Sequence, residues 1–62
     1  MWNKLTARQQ KACRAARDQL VGEGWAITVS QLAKHMDATM AYLRGTISAA
    51  DLARTVGSAE RL

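Results

Sequence analysis

An all-α fold, a small three- to four-helix bundle with a helix-turn-helix core, is the class this sequence predicts, on three observations. Proline is absent and strand-forming runs nearly so, the one β-like stretch being Trp25-Ala26-Ile27-Thr28-Val29. Helix-start signals recur at Thr6 with Gln9, Thr28 with Gln31, and Ser48 with Asp51. In each, a hydroxyl can accept from a main-chain N–H three residues on, and the later side chain can reach back. Behind each start, apolar residues return at helical spacing.

The first helix is expected over Ala7 to Val21. At 100° per residue, Leu5, Ala12, Cys13, Ala16 and Leu20 share one arc, with Lys4, Lys11, Arg14 and Arg17 around the remainder. Gly22 and Gly24 should end it. The second is expected over Val29 to Met36, with Val29, Leu32, Ala33 and Met36 inward and Asp37-Ala38 as a tight connection. The third takes Thr39 to Arg44 and stops at Gly45, which costs about 1 kcal/mol relative to Ala inside a helix. The fourth starts from Ser48, buries Ala49, Leu52, Ala53 and Val56, and stops at Gly57. Ser58 to Leu62 should fray.

A chain of 62 residues is expected to form one domain, 1–62. Domains near this size bury only about 60% of the surface their unfolded chain exposes, so stability should be marginal. Nine Lys and Arg against five acidic residues give a net charge of +4. That balance favours an anionic partner and excludes a mimic of DNA, which needs an acidic surface. One cysteine, Cys13, rules out an internal disulfide and any cysteine-rich metal site. No apolar run reaches the roughly 18 residues of a membrane span, and the polar N-terminus lacks the order of a secretion signal. A cytoplasmic location, with no membrane partner, is the expectation.

A helix-turn-helix needs a small residue where its helices cross, a turn four residues later and an apolar residue six beyond that. Ala33, Asp37 and Leu43 meet this spacing, with Leu32, Met36, Ala38 and Ile47 in support. Asp tolerates the φ > 0 backbone that such a turn often adopts. The stretch Leu5-Thr6-Ala7-Arg8-Gln9-Gln10, followed by Arg17-Asp18, Gly24, Thr28, Leu32-Ala33 and Met36, resembles the N-terminal winged-helix DNA-binding domain of LexA-type repressors. The resemblance covers residues 5–37. It implies a shared scaffold and DNA binding; it extends neither to the β-hairpin wing, whose place the helical segment Ser48 to Val56 takes, nor to the self-cleaving domain of that family. Gly45 also shortens the reading helix.

The residues expected to meet double-stranded DNA are Arg8, Ser30, Gln31 and Lys34 on the backbone, and Thr39, Tyr42 and Arg44 on helix 3. Arg44 has the donor fork for a bidentate contact to guanine. First helices of this motif cross the phosphates, which suits Arg8, Lys34 and the polar start of helix 2. Arg8, Lys11, Arg14 and Arg17 step every third residue and drift around helix 1 by about 60° each, so they form no single stripe. A homodimer is expected, with Leu52 and Val56 of helix 4 at its contact. No paired carboxylates, phosphate-cradling glycine loop or metal cluster is present, so neither an enzyme nor a cofactor is expected. His35 lacks a ligand partner at metal spacing and reads as a surface residue; Cys13 reads as a small core residue. Trp25 should plug the bundle and Trp2 should be open to a partner. The leading expectation is a bacterial or phage transcriptional regulator. The alternative is a module that binds a host protein on the same scaffold without reading DNA.

Overall fold

The computed structural model describes residues 2–57. A single 3-10 turn, Trp2–Lys4, leads into four α-helices: α1 Ala7–Gly22, α2 Val29–Ala33, α3 Met36–Arg44 and α4 Ala49–Thr55. Among the described residues there is no β-strand, and no helix is long and apolar enough to cross a membrane. The expectation for Ser58 to Leu62 lies outside the described residues.

Three helices begin where the hydroxyl signals placed them. At α1 the Gln9 N–H donates to Thr6 Oγ1 (3.1 Å) and the Thr6 N–H to Gln9 Oε1 (2.8 Å). The same reciprocal pair opens α2, from Gln31 N–H to Thr28 Oγ1 (3.2 Å) and from Thr28 N–H to Gln31 Oε1 (2.8 Å). At α4 the Asp51 N–H donates to Ser48 Oγ (3.1 Å). The Asp51 carboxyl sits below the ordinary carboxylate range, held there first by the Arg54 guanidinium and then by Ser48.

The helix ends follow from glycine. After α1 the Trp25 N–H reaches back to the Leu20 carbonyl (3.0 Å) and the Gly24 N–H to Val21 (3.0 Å), with Gly24 at φ 92°. After α3 the Thr46 N–H reaches Ala41 (2.9 Å) and the Gly45 N–H reaches Tyr42 (3.0 Å), with Gly45 at φ 83°. Both are Schellman closures, in which a left-handed residue lets the chain satisfy two orphan carbonyls. Gly45 thus terminates α3, as its position in the sequence suggested.

The core forms where α1 packs on α2 and α3. Cys13, Ala16 and Leu20 of α1 meet Ile27, Leu32 and Ala33, and Leu52 of α4 closes the cluster. Trp2, Leu5, Trp25, Met36, Tyr42, Leu43 and Val56 pack around it, half-buried. Trp25 plugs the core as expected. Trp2 is also drawn in, its carbonyl accepting from Gln10 Nε2 (3.1 Å) and its ring lying 5.4 Å from the Arg14 guanidinium carbon. That distance is within cation–π range.

The connection between α2 and α3 departs from the expected register. The α2 helix stops at Ala33 rather than Met36, Lys34 and His35 form the turn, and α3 begins at Met36 rather than Thr39. His35 leaves helical geometry at φ −133°, ψ 58° while its N–H donates to the Leu32 carbonyl (3.1 Å). Thr39 Oγ1 lies 3.0 Å from both the Leu32 and His35 carbonyls, pinning this early turn from inside. Asp37 is therefore not the turn residue. It occupies the first turn of α3, where a carboxylate faces the positive end of the helix, and among the described residues no non-glycine takes a positive φ.

Candidate nucleic-acid interface

The candidate site lies on the exposed rim at the α2–α3 connection. Lys34 and His35 form the exposed turn, and α3 starts without any side-chain cap on its N–H groups. A groove of about 410 Å³ opens there, lined by Lys34, His35, Met36 and Asp37 and closed on the far side by Thr55 of α4.

The structure sorts the expected contact residues into three groups. Arg8 in the first turn of α1, Ser30 on α2, Lys34 in the turn and Arg44 in the last turn of α3 are all exposed. Gln31 is half-buried, and its Oε1 already accepts from the Thr28 N–H, so its amide is engaged in capping. Thr39 is 0% exposed and its hydroxyl is directed at main-chain carbonyls. A side chain so placed cannot reach a duplex, and Thr39 leaves the contact set. The physical reason is the early start of α3, which turns position 39 toward the core.

Tyr42 lies between these groups. It is half-buried against the core, and its hydroxyl donates to Glu23 Oε2 (2.9 Å) in the turn after α1. Its phenol is pushed up from 10.0 to about 12, by burial first, then by the Glu23 hydrogen bond and the Glu23 charge. All three favour the protonated form in the folded state. The stability this contributes is complete below pH 10 and is lost as pH rises through about 12. Tyr42 is the one tyrosine in the sequence, so phenolate absorbance should titrate near 12 in the native protein and near 10 in denaturant. A native midpoint at the ordinary value would refute the Glu23 link.

Charge pairing decides which cations are left for a ligand. Arg17 pairs with Asp18 (3.0 Å), Arg54 with Asp51, and Arg14 sits over Trp2. Among the described residues Lys4, Arg8, Lys11, Lys34 and Arg44 are exposed and have no ion pair, and of these Lys34 and Arg44 flank α3. The α2–α3 segment thus carries an unpaired cation at each end of α3. The remaining outward side chains of α3 are Asp37, which the sequence reading placed in the turn, and Met40 and Ala41, to which it gave no contact role. They belong to one face only when the helix starts at Met36.

Leu52, expected at a dimer contact, is instead 0% exposed inside the core of the single chain. Val56 is half-buried against the same core. Apolar spacing in α4 reports burial, and what it is buried against is this chain's own α1–α2 cluster. The Cys13 thiol is also in the core, 3.4 Å from Met36 Sδ as a weak donor, and burial raises its pKa. Among the described residues no group of three His, Cys, Asp or Glu side chains converges as a metal site would require. No known family model, curated protein or solved structure matches the chain, so the functional reading rests on these residues themselves.

Proposed function

We propose that this chain binds double-stranded DNA as a small regulator of the helix-turn-helix kind, holding phosphates with Arg8, Lys34 and Arg44. The observation that carries the reading is the pair of unpaired, exposed cations bracketing α3. The nine residues of α3, Met36 to Arg44, rise by about 12 Å between these two cations, comparable with a major groove about 12 Å wide. The N–H groups at the start of α3 carry no side-chain cap and favour negative charge. With Thr39 inside, Tyr42 tied to Glu23 and Arg44 on phosphate, α3 keeps little with which to read bases. Affinity should therefore come chiefly from the backbone, with weak discrimination among sequences.

Fluorescence anisotropy with a labelled random duplex tests this. Three phosphate contacts give a plot of log affinity against log salt with a slope of about −2.7 between about 50 and 200 mM. Absence of binding at the low end would remove the proposal. It would leave the second reading, a module for a host protein, which Met40 and Ala41 favour by offering an apolar surface without hydrogen-bonding side chains.

A further inference from the structure

Asp37, Met40, Ala41 and Arg44 fall within about 100° of one another on the α3 wheel, opposite Thr39 and Tyr42. Asp37 and Arg44 are exposed; Met40 and Ala41 are half-buried and lie outside the set of side chains packed on the core. Asp37 and Arg44 already suit the dipole of α3 itself, being in its first and last turns. That accounts for the two charges and not for the half-covered apolar pair between them, which does not pack on the core cluster.

We propose that this face docks against its own counterpart on a second copy of the chain, with the two α3 helices antiparallel. The order acid, apolar, apolar, base is its own complement when reversed. A two-fold axis through the midpoint of Met40 and Ala41 sets Asp37 of each copy against Arg44 of the other. It places the two apolar pairs together at the centre, and Ala41 allows close approach. Antiparallel alignment also opposes the two helix dipoles favourably. Residue i meets residue j and j meets i, as an isologous contact requires. A pair of nine-residue helices covers less than the roughly 1,200 Å² of stable complexes, so the association is weak and reversible. The pairing stands independently of DNA binding. Its consequence, that self-association covers Arg44 and competes with a duplex, rests on the reading above.

Sedimentation equilibrium of the full chain and its variants tests it. The wild type should associate reversibly toward millimolar concentration. Asp37→Arg and Arg44→Asp alone each set like charges across the axis and should associate at least about tenfold more weakly. An equimolar mixture of those two variants should regain association as a heterodimer. Met40→Lys keeps both end charges and should also abolish pairing; it decides the matter if circular dichroism shows that a charge variant has lost its helices. A monomeric wild type throughout, or Met40→Lys pairing as the wild type does, overturns the proposal. So does a mixture of folded charge variants that associates no better than either alone. None of these outcomes depends on whether the chain binds DNA.

Discussion

Leu52→Ala should lower the stability of the chain by about 2–5 kcal/mol, by the lost transfer energy of a buried leucine and the cavity it leaves. Leu52 is 0% exposed and packs with Leu20 and Leu32, the other large leucines wholly inside. A 62-residue domain at ordinary specific stability holds roughly 3–9 kcal/mol in total. One such substitution therefore removes a large share of it, and all of it toward the lower end of that range, so the urea midpoint should fall sharply. The loss should be the same at every protein concentration, because the partners of Leu52 are in its own chain. Urea unfolding followed by circular dichroism at two well-separated concentrations measures this. A Leu52→Ala protein that unfolds like the wild type, or whose stability recovers as concentration rises, would return Leu52 to a subunit contact.

Removing both cations that bracket α3, in a Lys34→Ala/Arg44→Ala variant, should weaken binding to random duplex by roughly tenfold to a hundredfold at low salt. The salt slope is the sharper readout. With Arg8 as the remaining contact it should shrink from about −2.7 to about −0.9, since each lost phosphate contact removes about 0.9. Both side chains are exposed and without ion pairs, so the fold should survive and the urea midpoint should barely change. Arg17→Ala serves as the comparison, because that guanidinium is already committed to Asp18; it should change the slope much less. An unchanged slope in the double variant would place any DNA contact elsewhere on the chain.

The parts of this fold that were legible in the sequence are those set by local chemistry. A hydroxyl followed by an amide or acid three residues later is satisfied within its own turn, so Thr6, Thr28 and Ser48 announced their helices without tertiary information. The glycines at 24 and 45 did the same for the ends, and the arc of Cys13, Ala16 and Leu20 gave the buried side of α1.

What was not legible depended on contacts between elements. Motif spacing alone placed the turn at Asp37, because a helix-turn-helix template sets it four residues after Ala33. The chain turns at Lys34 and His35 because Thr39 can bond the carbonyls of Leu32 and His35 once it is inside. A threonine on an otherwise mixed helix reads as a surface residue until those acceptors are seen. The early start rotates α3, which moves Thr39 out of the candidate interface and brings Asp37, Met40, Ala41 and Arg44 onto one outward face. Tyr42 was likewise read as a free reader because its partner, Glu23, lies nineteen residues away. For Leu52 the periodicity correctly indicated burial but carried no information on which surface does the burying.

The most direct test is to map where a duplex touches the chain, by following backbone amide and side-chain resonances of the labelled protein as random duplex is added. The account predicts perturbations concentrated from Lys34 to Arg44, with Arg8 joining them, while the buried Thr39 hydroxyl keeps its native bonds. Perturbations absent at low salt, or confined to the far surface of α1 around Arg17 and Asp18, would contradict it.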